Sequence, residues 1–179
     1  MPFGHTRKLS VLLAILVSLC LPPALAEESA EHRAELSGGA QENYLAELKR
    51  RYGTQDERRA LLAHVNRLLD TYAMRAGYQV GQAQRQDLLY RISVSAPGEL
   101  LVREESRAER GTQLAVRNQR VPVFGVDPFV RYDCPASGPS CVLRNPLDGS
   151  PLLTIVRDHA GAAELAKAFS FLIRNVQKS

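Results

Sequence analysis

The chain has 179 residues, a formal net charge of +4, three cysteines and no tryptophan. That length suits one domain with a real core. So few aromatic side chains leave no obvious platform for base stacking, and nucleic acid is not an expected partner.

The N-terminus reads as an export signal. Arg7 and Lys8 form a basic start, and Ser10 to Pro22 is apolar. Pro22 and Pro23 stop a helix there, since proline lacks the N–H and clashes with the preceding turn. Ala24-Leu-Ala26 supplies the small-x-small cleavage pattern, so residues 1–26 are read as a cleaved secretory signal. The apolar run is too short for a membrane anchor of about 20 residues. Leu19 before Cys20 stands where a lipobox wants a small residue, which argues against lipidation. No later segment is apolar enough to span a membrane. Cleavage removes Arg7, Lys8 and Cys20, lowering the net charge from +4 to +2 and leaving Cys134 and Cys141. An even pair in an oxidising compartment, joined by the turn formers Pro-Ala-Ser-Gly-Pro-Ser, predicts a structural disulfide. Closing so small a loop stabilises by roughly 2.5 kcal/mol on the chain-entropy model.

Residues 27–39 read as a flexible polar entry, ending in Ser37-Gly-Gly39, and residues 40–179 as one α+β domain. A first helix is expected over Gln41–Tyr52, closed by Gly53. Thr54-Gln-Asp-Glu57 reads as a capping box for a second helix running to about Ala76. Its apolar positions Leu61, Leu62, Val65, Leu68, Leu69 and Tyr72 follow a 3.6-residue period. The period then becomes two, at Tyr90, Ile92 and Val94, with Pro97-Gly98 as a turn before Leu100 and Val102. The charged stretch Glu104–Gly111 reads as a long hairpin loop, followed by strands at Leu114–Val116, with Val121–Phe124 after a bend at Asn118-Gln119, and at Phe129–Tyr132. Cys141–Arg144 and Leu152–Val156 flank a tight turn at Asn145-Pro-Leu-Asp-Gly-Ser150. A third helix, Gly161–Val176, is capped by Asp158 or His159 and repeats the apolar offsets of the second. The expected architecture is a meandering antiparallel sheet of five to six strands with helices on one face, without the βαβ alternation of a dinucleotide-binding fold.

Nearly every expected strand carries an arginine: Arg91, Arg103, Arg117, Arg131, Arg144 and Arg157. A guanidinium fork suits carboxylates and phosphates, so a face bearing several is a candidate surface for an anionic ligand or a partner protein. The plainer reading is a solvated sheet face balanced by Glu99, Glu104, Glu105 and Glu109. His32, His64 and His159 are scattered and read as surface or capping residues, with no metal pair among them. Asp158-His159 is an acid/base pair in composition only, because neighbours at a helix start face different points. There is no nucleophile elbow, phosphate-cradling loop or calcium loop, so no catalytic residue, metal or cofactor is assigned.

The layout, and the ending around Cys141-Val-Leu-Arg-Asn-Pro-Leu-Asp-Gly-Ser150 before a terminal helix, resembles the quorum-sensing-regulated virulence factors, small secreted bacterial proteins. The resemblance implies an exported factor without known catalysis and transfers no residue roles. The expectation is a periplasmic or secreted, non-catalytic binding protein, monomeric or weakly oligomeric. A small secreted hydrolase or enzyme inhibitor, and a structural envelope protein, are the competing classes.

Overall fold

The computed structural model describes residues 32–33, 38–110 and 113–178. The export signal and most of the polar entry lie outside them. The class is α+β. In chain order the elements are β1 (His32–Arg33), α1 (Gly38–Arg51), α2 (Glu57–Thr71), β2 (Gln86–Ala96), β3 (Glu99–Ala108), β4 (Leu114–Pro122), β5 (Arg131–Asp133), β6 (Ser140–Arg144), β7 (Pro151–Val156) and α3 (His159–Val176). The expected single meander is divided between two antiparallel sheets, ordered β1-β5-β6-β7 and β2-β3-β4.

α1 begins at Gly38, inside the stretch read as a flexible entry. It ends where Gly53 takes φ +60° and Thr54 N–H reaches the Lys49 carbonyl. The capping box at Thr54 is not formed as expected. Asp56 is the N-cap of α2, its carboxylate accepting from Arg59 N–H at 3.1 Å, while Thr54 Oγ1 accepts from Asp56 N–H. A carboxylate at the helix start also suits the dipole.

α2 stops at Thr71, five residues before the expected end. The apolar period continues, but tertiary pairing claims the backbone. The Tyr72 carbonyl accepts from Val156 N–H at 2.9 Å, and the Met74 carbonyl accepts from Leu88 N–H at 2.8 Å. Ala73 bridges Ile155 and Met74 bridges Leu88, so this short extended piece ties β7 of one sheet to β2 of the other. A turn of 3-10 helix at Ala76–Tyr78 follows, with Ala76 N–H bonded to the Asp87 carboxylate.

α3 is the centre of the core. The expected stripe Leu165, Ala166, Phe169, Leu172, Ile173 and Val176 is fully buried, and so are Ala168, Ser170 and Phe171. The helix is enclosed on more than one side. α2 packs along it, Tyr44 of α1 lies against Phe171 with ring centroids 5.2 Å apart, and β5 and β6 contact it elsewhere. Ser170 is accommodated because its hydroxyl donates to the Ala166 carbonyl and accepts from Val130 N–H.

The stretch expected to be a charged loop is strand: β3 runs to Ala108 in register with β2 and β4. Its charges are met within the sheet, with Arg117 of β4 on Glu104 across the ladder at 2.8 Å, and Arg103 and Arg107 on Glu105 along β3 itself. The bend expected at Asn118-Gln119 is absent, because β4 continues straight from Leu114 to Pro122. At the β2–β3 turn Gly98 has φ +68° and lies against the Phe124 ring, so no side chain fits.

Past the Met74 bridge, the edge of β2 is closed at Ile92 by one side chain. Asn66 of α2 accepts from Ile92 N–H at 2.8 Å and donates to the Ile92 carbonyl at 2.9 Å, acting as a single residue of an absent strand. Ile92 is buried, so removing these partners leaves both backbone groups without substitutes. Asn66→Ala is expected to destabilise the protein by about 1–3 kcal/mol in urea denaturation, with Ile92 the amide whose hydrogen exchange accelerates most.

Candidate arginine groove

The ladder distributes the six expected arginines. Side chains alternate along a strand, so the burial of Tyr90 and Ile92 sends Arg91 to the outer face of its sheet. The register sets Arg91 directly opposite Arg103, and Arg103 opposite Asn118. Arg117 pairs with Glu104 instead, on the other face. Arg131 and Arg144 belong to the second sheet, around a concavity of about 580 Å³ beside the Asn145–Gly149 turn. Arg157 is exposed past the end of β7. The structure therefore joins Arg91 and Arg103 and separates the other four from them.

The Arg131 concavity has no surplus of positive charge. Its two arginines face Asp127, Asp133 and Asp148, and Arg144 is held by Asp133 through Nε at 2.6 Å. Asp148 is occupied by its own turn, accepting from the Ser150 hydroxyl and backbone N–H, and these bonds hold its carboxyl below the usual range.

Arg91 sits differently. It lines a solvent-open groove of about 590 Å³ along α2 with Tyr52, Arg58, Arg59, Leu62, Ala63, Asn66, Arg67 and the carboxylates Asp56 and Asp70. Two of these charges are committed: Asp56 caps α2, and Arg58 reaches the Asn175 side chain and carbonyl. Among the described residues the guanidinium groups of Arg59, Arg67 and Arg91 have no ion-pair partner. Arg59 and Arg67 are eight residues apart, two turns or about 12 Å along one helix face. Like charges directly opposite on a sheet, as with Arg91 and Arg103, are destabilising unless an anion comes between them. Arg103 has Glu105, its nearer nitrogen at 2.9 Å, while Arg91 has no equivalent. Sequence reading found Arg91 and Arg103. It had no signal that β2 would bring Arg91 beside Arg59 and Arg67 of α2.

Beneath the groove lies a polar network that the sequence did not reveal. His64, read as a surface residue, is only 3% exposed. Its Nε2 donates to Glu164 Oε1 of α3 at 3.0 Å, because a carboxylate only accepts, and in the neutral ring Nδ1 then accepts from the Tyr52 hydroxyl at 3.0 Å. Tyr44 donates to the same Glu164 oxygen at 2.7 Å, and Lys167 lies 4.3 Å from the centre of its ring. The connectivity is that of a hydroxyl–imidazole–carboxylate relay. However, burial pushes the Tyr52 phenol up, away from the phenolate that would attack a substrate. Burial and Glu164 push Tyr44 up further. The network fits a tie between the three helices better than a nucleophile.

Asp158 caps α3 by accepting from Gly161 N–H at 2.7 Å, and His159 is exposed beside it, so the pair converges on no shared point. Cys134 and Cys141 form the expected disulfide. Among the described residues no group of three His, Cys, Asp or Glu side chains is placed to hold a metal, and no helix is long and apolar enough to cross a membrane. Comparison with family models, curated proteins and solved structures finds no match to this chain.

The network gives a pH dependence. Burial raises the Glu164 pKa, but the hydrogen bonds from His64 and Tyr44 and the nearby charges more than offset it, leaving the group below its ordinary 4.5. A depressed carboxylate stabilises the fold above its unfolded pKa, and that contribution is lost as pH falls through the folded one. Glu164→Gln is expected to flatten the decline in stability between about pH 5 and pH 3, measured by thermal melts across that range. A decline as steep as the parent's would show that the carboxylate contributes nothing.

Proposed function

We propose that the protein is a periplasmic or secreted, non-catalytic binding protein that takes an acidic segment of a partner protein along the α2 groove. The observation that carries this reading is the set of three guanidinium groups, Arg59, Arg67 and Arg91, that have no ion-pair partner among the described residues and line one open groove, where Asp70 is the one carboxylate not already committed. Each offers a planar fork to a carboxylate. The apolar floor of Leu62 and Ala63 adds contact area beneath them. A shallow groove whose helix arginines stand about 12 Å apart suits an extended segment better than an enclosed small molecule. The disulfide supports an oxidising compartment, as does the N-terminal signal pattern. The resemblance to the quorum-sensing-regulated virulence factors belongs to the same proposal, as an exported factor acting through a partner. None of the cavities described above is lined by Asp158 or His159, which disfavours the hydrolase alternative.

The probe is a fluorescent glutamate-rich peptide, followed by anisotropy. The double change Arg67→Glu and Arg91→Glu is expected to weaken its binding at least about tenfold, since two charge-assisted contacts become repulsive. The melting temperature should stay nearly constant, because neither side chain is buried. Arg157→Glu, away from the groove, should leave binding unchanged. Affinity that falls equally for both variants would mean a nonspecific charge effect. Affinity that survives in the double variant would contradict the groove.

A further inference from the structure

The sheet β2-β3-β4 has two edges of different character. The β2 edge is closed by Asn66 at Ile92 and by Met74 at Leu88. No described residue pairs with the far side of β4. Seven of the nine β4 residues from Leu114 to Pro122 are exposed, Gln119 is half-buried and only Val121 is buried. Leu114 and Val116 are large apolar side chains, 51% and 44% exposed.

The direction of the β4 backbone groups follows from the register. Val123 N–H donates to the Gly98 carbonyl and Ala108 N–H to the Gln113 carbonyl. Hydrogen-bonded pairs alternate along an antiparallel ladder, so Ala115, Arg117, Gln119 and Val121 bond inward to β3. Leu114, Val116, Asn118 and Arg120 therefore turn their N–H and C=O groups off the sheet. That row is a template for another strand.

We propose that the occupant is a second copy of this chain, with β4 pairing antiparallel to β4 about a two-fold axis through Asn118. In that register Val116 lies opposite Arg120 of the second copy, Arg117 opposite Gln119, and Ala115 opposite Val121. No like charges meet. Moving the axis to Arg117 would set Arg117 against its own twin, which is destabilising. Moving it to Gln119 would leave Leu114 and Ala115 without partners, whereas the Asn118 axis pairs β4 along its whole length and forgoes only the bond that Pro122, opposite Leu114 at each end, cannot donate. The charge of the edge also fits a copy of itself. Arg117 is already neutralised by Glu104 at 2.8 Å, and Arg120 lies 3.9 Å from Glu99, so two edges meet without a bare cation. An acidic strand would find these arginines already engaged. The result is one continuous six-stranded sheet with a closed, isologous contact. Edge pairing buries little side-chain area, so the dimer is a weak, concentration-dependent one.

Sedimentation equilibrium on the disulfide-intact protein, over a wide concentration range, reads the association. A reversible monomer–dimer equilibrium is expected. Val116→Lys places a second cation opposite Arg120 and acts twice across the axis, so it should weaken dimerisation roughly tenfold. Its exposure protects the fold, which a melt verifies. Register is read by oxidative cross-linking: Asn118→Cys should form a covalent dimer at least about tenfold faster than Arg120→Cys, because only residue 118 faces itself. A monomer at every concentration, a dimer indifferent to Val116→Lys, or equal cross-linking at the two positions would each overturn the proposal.

Discussion

The structure depends on the place where α2 gives up its last turn. Tyr72, Ala73 and Met74 leave the helix and become a short extended link with one sheet on either side, bonded to Val156 and Leu88. Backbone groups withdrawn from a helix must find other partners, and here the two sheets provide them. The exchange fixes the angle at which α2 enters the domain. It also holds β2 and β7 close enough for both sheets to share one core with α3. Arg58 at the start of α2 secures the opposite end, reaching Asn175 in the last turn of α3.

The groove is a consequence of the same constraint. With α2 locked beside β2, Asn66 is in reach of the Ile92 backbone and closes the edge that Met74 leaves open. Ile92 points into the core, so the alternation of the strand sends Arg91 outward, beside the exposed Arg67. The Tyr52–His64–Glu164 network underneath holds α1, α2 and α3 together without placing charge in the groove itself. The histidine is buried, while Arg59, Arg67 and Arg91 are exposed above it.

Much of this was legible in the chain. The stripes of α2 and α3 identified the core helices, because a 3.6-residue period survives any tertiary arrangement that buries one face. Cys134 and Cys141 announced their bond through parity and the turn formers between them. The failures share a cause. The end of α2, the strand at Glu104–Ala108 and the buried His64 are all decided by distant residues: Val156 and Leu88, Arg117, and Glu164. Charge in β3 looked like a loop because its cross-strand partners were invisible. The arginine surface was half legible for the same reason. Arg91 and Arg103 stood out by spacing, but Arg117 has the opposite facing and Arg59 and Arg67 come from a helix.

The most direct measurement is a titration of 15N-labelled protein with the glutamate-rich peptide, following the arginine side-chain Nε–H resonances by NMR. The expected result is a saturable shift at Arg59, Arg67 and Arg91, with Arg131, Arg144 and Arg157 unmoved. Shifts concentrated at Arg131 and Arg144, or spread evenly over all the exposed arginines, would contradict the account.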